Sequence, residues 1–262
     1  MYDYHLHSRY SADSETPMEH MAQQAQSLGL REICFTDHVD IGFSLHGIAF
    51  EVDLPAYLEN LTSLRKKYPA LPIKAGLEVG HTPENTAATA ALLADCPLDF
   101  IIASVHLLDG EDIFCAGYTP SMRKKVYQDY LLACLHTAKT APQFNVLGHV
   151  NYPSKLPVFC DKPLYYDDAP DILDEIFRAL IARGKGIEIN TSPLRKTRDI
   201  ESTLSYMRRY RALGGEIITL GSDAHRPETI GFLFPEMIEA LKSQGFAYLC
   251  TFDRQSPIFH SL

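Results

Sequence analysis

Histidine and carboxylate recur in this chain wherever an apolar run ends. The first instance is His5-Leu6-His7. At strand periodicity residues i and i+2 share a face, so both imidazoles can reach one ion while Leu6 points away. Thr36-Asp37-His38 follows the apolar stretch that starts at Ile33. Glu78 closes the run Ile73-Lys74-Ala75-Gly76-Leu77, and a carboxylate buried there needs a cation or a proton. His106 follows Ile101-Ile102-Ala103-Ser104-Val105, and His149 follows Val146-Leu147-Gly148. Behind the most apolar strand, Gly221-Ser222-Asp223-Ala224-His225 again sets a carboxylate and an imidazole two residues apart.

Each signal alone is weak, since a histidine at a strand end is commonly a hydrogen-bonded structural residue. Together they are not: five expected strands end in His or Asp-His, and a sixth ends in Glu78. Imidazole and carboxylate without thiolate suit Zn²⁺, Mn²⁺ or Fe²⁺ in a catalytic site. So many ligands require more than one ion, because each takes only about four to six. The chemistry implied is that of a multinuclear hydrolase. His20, His46, His136 and His260 lie on presumed helix or loop faces and carry no expected role. His81, and the alternating pair Glu188 and Asn190, are candidates to support the imidazoles from behind.

Strand-like and helix-like stretches alternate along the chain. A short N-terminal strand precedes a helix with Pro17 near its start and Gly29 at its end; a strand at 32–36 precedes a helix over 53–68. A strand at 72–78 is followed by Thr82-Pro83-Glu84, whose cap residue, proline and acid predict a helix from there to about Asp95. Strands at 100–105, 144–147, 186–190 and 216–220 follow, with helices from Thr119-Pro120 to about Lys139, near 171–183 and near 198–213. About seven strand–helix units without a linker or low-complexity break predict one α/β domain spanning residues 1–262. An open sheet concentrates its site at one crevice, whereas a barrel gathers every strand end onto one mouth. Candidates at the ends of nearly all strands therefore favour a barrel.

Composition bounds the partners. The 262 residues carry 24 Lys+Arg against 33 Asp+Glu, a formal charge of −9, which argues against nucleic acid, whose backbone needs a basic face. A small phosphorylated substrate stays compatible, because bound metal ions can outweigh the global sign. No apolar run approaches the roughly 18–20 residues of a membrane span. The start Met1-Tyr2-Asp3-Tyr4-His5 has neither the basic nor the apolar stretch of a signal peptide. Six scattered cysteines without a Cys-x-x-Cys pair predict reduced thiols in a cytoplasmic protein. Nothing in the sequence addresses the oligomeric state.

The blocks Tyr4-His5-Leu6-His7-Ser8, Phe35-Thr36-Asp37-His38, Gly76-Leu77-Glu78, Ser104-Val105-His106, Gly148-His149 and Gly221-Ser222-Asp223-Ala224-His225 resemble, in order, those of the polymerase-and-histidinol-phosphatase (PHP) family, and within it the histidinol-phosphate phosphatase branch. The resemblance implies a distorted (β/α)7 barrel with three divalent metal ions (Zn, Mn or Fe) at its C-terminal mouth. One ion would take His5, His7, Glu78 and Asp223; a second would share Glu78 and add His106 and His149. The third would take His38 and His225 with Asp13, from Ser11-Ala12-Asp13-Ser14. Three divalent ions, set against three carboxylates and a hydroxide, leave about two positive charges, the complement of a phosphate monoester dianion.

The implied reaction is hydrolysis of L-histidinol phosphate by a metal-bridging hydroxide, with Asp37, His38 or a metal-bound water protonating the leaving oxygen. Arg195 resembles the family's phosphate-binding arginine. A second arginine usual in the loop after His149 is absent, and Lys155 stands there as a point charge without bidentate geometry. Among the acids beyond His106, Asp109, Glu111 and Asp112 are candidates for a substrate ammonium. The alternatives are a PHP phosphoesterase for another small ester, such as a nucleotide or sugar phosphate, and a non-catalytic PHP-like module. A proofreading role beside a polymerase fits less well, for want of a partner domain or basic face.

Overall fold

A computed structural model describes residues 1–262. Seven parallel strands form its core: β1 (Tyr2–Leu6), β2 (Glu32–Phe35), β3 (Ile73–Gly80), β4 (Phe100–Ser104), β5 (Val146–Leu147), β6 (Gly186–Asn190) and β7 (Ile218–Gly221). They hydrogen-bond in sequence order, from Tyr2 opposite Glu32 round to Ile187 opposite Ile218. The ring is joined by backbone bonds beyond β7: the His7 amide donates to Ala224 O (2.9 Å), and the Ala224 amide to His5 O (3.3 Å). The result is the expected barrel rather than an open sheet. No helix is long and apolar enough to cross a membrane.

The connecting helices are α1 (Met18–Ser27), α2 (Leu54–Lys67), α3 (Thr86–Leu93), α4 (Arg123–Thr140), α5 (Pro170–Ala182), α6 (Ile200–Ala212) and α7 (Phe234–Ser243). Each buries one stripe. On α1 this is Met18, Met21, Ala22 and Ala25, and on α5 it is Leu173, Ile176, Phe177 and Leu180, the spacing of a single helical face. Strand side chains alternate as a barrel demands. Ile33, Phe35, Ile101, Ala103, Ile187 and Ile189 join the layer under the helices, whereas Cys34, Phe100, Ile102 and Val146 form a separate inner cluster.

Two sequence expectations need correction. The helix expected from Thr82 begins at Thr86 and ends at Leu93, because Asn85 pins a turn before it. Its Oδ1 accepts from the Thr82 amide (3.0 Å) and its Nδ2 donates to Gly80 O (2.8 Å). The stretch after residue 225, to which the sequence assigned no element, contains α7 and an antiparallel hairpin, β8 (Tyr248–Asp253) with β9 (Ser256–Ser261). This hairpin plugs the floor of the barrel. Phe252 packs on Phe100 (ring centroids 4.9 Å apart), Tyr4 stands edge-on to Phe100 (5.1 Å), and the Phe252 amide donates to the Tyr4 hydroxyl.

Gly186 begins β6 where a Cβ would lie 2.5 Å from Ile217 O and 2.4 Å from its Cγ2. Gly186→Ala is therefore expected to destabilise the fold by about 1–3 kcal/mol. Chemical denaturation at equilibrium checks this, and an unchanged midpoint would show that β6 and β7 can separate at no cost.

Candidate metal centre and its supporting residues

All the expected ligands meet at the C-terminal mouth of the barrel. The register irregularity in β1 between Asp3 and Leu6 lets two successive side chains face inward: Tyr4 onto the floor and His5 toward Glu78. Glu78 lies in β3 between Leu77 and Val79, which both point to the helix layer. His106 and His149 follow β4 and β5, and Asp223 and His225 follow β7. Asp223 has a positive φ of 52°, a conformation an aspartate tolerates better than most residues; it turns the chain just past the end of β7.

Four groups of ligand atoms lie within 4.8 Å of one another: His5, His7 and Asp223; Glu78, His106 and His149; His7, Asp13, His38 and His225; and His38, Asp40 and His106. Glu78 stands between them. Its Oε1 is 2.7 Å from His149 Nε2 and 3.0 Å from His106 Nε2, while its Oε2 is 3.0 Å from His5 Nε2 and 3.3 Å from His38 Nδ1. Asp13, half in solvent, has its Oδ2 3.0 Å from His225 Nε2 and 3.5 Å from His38 Nε2.

The protons of these imidazoles can be placed from their partners. His5 Nδ1 faces Glu188 Oε1 (2.5 Å), His106 Nδ1 faces Asp40 Oδ1 (2.8 Å), and His225 Nδ1 faces Asp223 O (3.2 Å). His7 Nδ1 faces Ser11 Oγ (2.9 Å), whose own proton goes to Asp37 (2.8 Å). His149 Nδ1 faces the Tyr130 hydroxyl (3.3 Å), which donates to His149 O (3.0 Å). Every one of these Nδ1 atoms is thus a donor, leaving a lone pair on Nε2.

Those lone pairs point at other acceptors. His5 Nε2 and His7 Nε2 are 3.0 Å apart, and the remaining three Nε2 atoms face Glu78 or Asp13. Protonating both His5 and His7 would set two N–H bonds head to head. Divalent cations between the groups remove the conflict, so the donor set fits metal. His38 Nδ1, buried without a hydrogen-bond partner, is an orphan of the same kind.

Ionisation follows the same geometry. In the absence of a cation, burial opposes charge on all these groups, yet the surrounding carboxylates hold His5 and His106 well above the usual imidazole range, so an ion that engages their Nε2 atoms displaces a proton from each. Glu78 is likewise held far below the carboxylate range by the imidazoles of His5, His106 and His38, against its own burial. For His149, burial wins and its pKa falls.

Two expected site residues are not brought into the mouth. The cavity there, about 270 Å³, is lined by His38, Glu78, Lys155 and Asp223 among others, but not by Asp37 or Arg195. Asp37 is wholly buried behind the ligands, where its carboxylate accepts from the Ser8 amide (2.6 Å), the Ser8 hydroxyl and Ser11. Arg195 Nη2 donates to the Ser222 and Asp223 carbonyls (3.0 and 3.2 Å), bracing the loop behind Asp223. Lys155 does reach the mouth, its Nζ 2.8 Å from Asp223 Oδ2. Glu188 takes the supporting place expected for it, with its second oxygen accepting from the His149 amide (2.9 Å). His81 does not: its nitrogens meet Thr137 and Thr86.

Sequence reasoning missed Asp40, the acceptor for His106, which follows a strand of only two residues, His38–Val39. The signal available was Gly80, where a Cβ would lie 1.4 Å from Asp40 Oδ1. It also missed Asp3, which accepts from the Ser222 amide and hydroxyl and whose carboxyl burial pushes up to about 6.

A seven-stranded parallel barrel whose mouth gathers imidazoles and carboxylates for several cations is the architecture of a metal-dependent hydrolase. The chain belongs to the PHP-domain family, whose model matches residues 3–192. It is 33% identical over 254 residues to the histidinol-phosphatase of Lactococcus lactis, covering 95% of this chain and 93% of that protein. It is also similar to the crystal structure of L. lactis histidinol phosphate phosphatase complexed with Zn, L-histidinol and phosphate. That likeness has a TM-score of 0.89 at 32% identity and covers 98% of each chain. The hisK structure from Listeria monocytogenes, 19% identical with a TM-score of 0.73, shares the fold.

Removing metal with a chelator is expected to lower the apparent melting temperature, and Zn²⁺ or Mn²⁺ to restore it, since ions that bind only the native state stabilise it. Differential scanning calorimetry reads this; identical traces would mean that no cation joins the groups. Glu188→Gln, which loosens His5 and His149 together, should reduce metal affinity by about 10–100-fold in a competition titration.

Proposed function

We propose that this chain is a phosphoric monoester hydrolase that converts L-histidinol phosphate to L-histidinol and phosphate, a step of histidine biosynthesis. The observation that carries this reading is the near-complete likeness to the L. lactis phosphatase structure complexed with Zn, L-histidinol and phosphate. It is supported by lone pairs and carboxylates that face one another at the mouth of this barrel. The reading extends to a cytoplasmic setting, in keeping with six unpaired cysteines.

On this reading three divalent ions share the mouth. The first would be held by His5, His7, Glu78 and Asp223, the second by Glu78, His106 and His149, and the third by Asp13, His38 and His225. Such ions, when bound, supply charge for the phosphoryl oxygens and lower the pKa of a coordinated water. Glu78 would contribute both oxygens, each already facing a different group of imidazoles. Glu188, Asp40, Ser11 and Tyr130 hold the Nδ1 side of four imidazoles, so that the nitrogen each ring offers to an ion is Nε2. Lys155 offers its ammonium to the phosphoryl group as a point charge. Arg195, outside the cavity lining, acts through the Asp223 loop that it holds. Of the two residues expected to protonate the leaving oxygen, only His38 lines the cavity. Asp37 acts as a positioning residue through Ser8 and Ser11.

Phosphate release measured across a panel of esters tests the substrate. Histidinol phosphate is expected to exceed nucleotide and sugar phosphates in kcat/KM by at least about tenfold, the 1.4 kcal/mol of one well-placed contact. A smaller preference would favour another small ester. Glu78→Gln should lower metal content, read by elemental analysis, and activity together; full occupancy in that variant would contradict its bridging position.

A further inference from the structure

The expected ligands are not equally enclosed. Among those of the first two ions, His5, His7, Glu78, Asp223, His106 and His149, no side chain is more than 8% exposed. In the third group Asp13 is 40% and His225 25% exposed. Support from behind differs in the same sense. Glu78 Oε1 accepts from the Ser104 hydroxyl (2.7 Å), and Asp223 Oδ2 accepts from Lys155, Ser192 (3.0 Å) and Asn190 (3.3 Å). Asp13 faces only the imidazoles of His225 and His38, His225 Nδ1 rests on a backbone carbonyl, and His38 Nδ1 is enclosed without a partner. Loss of such supporting contacts commonly weakens metal binding about 10–100-fold, so the third group holds its ion least firmly.

Asp13 and His225 also line a second space. It is a groove of about 780 Å³ between residues 12–17 and residues 225–228, separate from the mouth that the same two side chains border. Its walls are tied together: Thr16 Oγ1 and Ser14 Oγ both donate to His225 O (2.7 and 3.1 Å), and the Arg9 amide donates to Thr16 O (2.7 Å). Glu15 and Glu228 stand exposed along it, with Arg226 and His20. None of the ligands of the first two ions lines this groove. The third group is thus open to solvent on a side that the other two do not reach.

We infer that this groove is a port for divalent cations: the ion held by Asp13, His38 and His225 enters and leaves through it, while the ions of the two enclosed groups stay. Two imidazoles and one carboxylate suit Mn²⁺, Zn²⁺ or Fe²⁺, and the groove supplies the entry path such a site needs. The inference rests on the three-ion reading above and deepens it. One ion of three is exchangeable, so the state of the centre follows the free concentration of that metal by mass action.

The test mixes the Mn²⁺-loaded protein with excess chelator and follows release by stopped flow, with elemental analysis of the desalted protein. One ion per chain is expected to leave at least about tenfold faster than the other two. Asp13→Ala should abolish that fast phase and keep two slow ions; any other partition would overturn the exchangeable site. The double variant Glu15→Lys/Glu228→Lys reverses charge in the groove without touching a ligand. It is expected to slow re-uptake of the fast ion at least about twofold at low ionic strength, an effect that added salt removes. A smaller change would overturn the port. Hydrolysis of histidinol phosphate, assayed in parallel, separates the two readings. Two-phase release from a protein that frees no phosphate would overturn the phosphatase reading alone, and single-phase release from an active protein would overturn this inference alone.

Discussion

Acceptors that face acceptors are the constraint on which the centre depends. Five imidazoles at the mouth direct a bare nitrogen at another nitrogen or at a carboxylate oxygen, over 2.7 to 3.0 Å. Such contacts are repulsive unless positive charge lies between them, and the interior position removes the water that would otherwise screen them. The arrangement persists because each ring is fixed from its other nitrogen. Glu188, Asp40, Ser11, Tyr130 and the carbonyl of Asp223 form an outer layer of acceptors, and the barrel holds that layer rigid.

Building so dense a polar mouth shapes the backbone around it. Gly221 is bare where a Cβ would meet Glu188 Oε1 at 2.2 Å, just as Gly80 leaves room for Asp40. The β1 irregularity and the left-handed Asp223 are two further departures from regular geometry, and both serve residues of the centre. The apolar floor beneath, from Tyr4 and Phe100 to Phe252, excludes water from the opposite end of the barrel. Polar and apolar halves of one interior are thus stacked along the barrel axis.

Most of this architecture is written locally. Alternation around Glu188 and Asn190, apolar runs ending in His106 and His149, and the helical stripe of α1 all follow from period-2 and period-3.6 patterning. Elements that depend on remote partners are less legible. Thr82-Pro83-Glu84 has the chemistry of a helix start, but Asn85 engages Gly80 and delays the helix. The β8–β9 hairpin forms because the barrel floor needs a lid, a requirement visible only once Tyr4 and Phe100 are neighbours. Asp37 and Arg195 show the limit for function. Their types and positions suit a reactive mouth, yet both are taken up by serine hydroxyls or backbone carbonyls whose proximity no spacing discloses. Asp40, lying between two short strands, gave no periodic signal at all.

Barrel closure sets the order of assembly. Beyond β7, residues 5 to 7 are sealed by the backbone of Ala224, so β1 must wait for a segment more than two hundred residues later. During translation its edge is unpaired on that side, and the contact that finishes the ring is among the most remote in the chain. Such topology slows folding and leaves an adhesive edge exposed meanwhile. A newly made chain would carry His5 and His7 on an open flank until the stretch around Ala224 has been made.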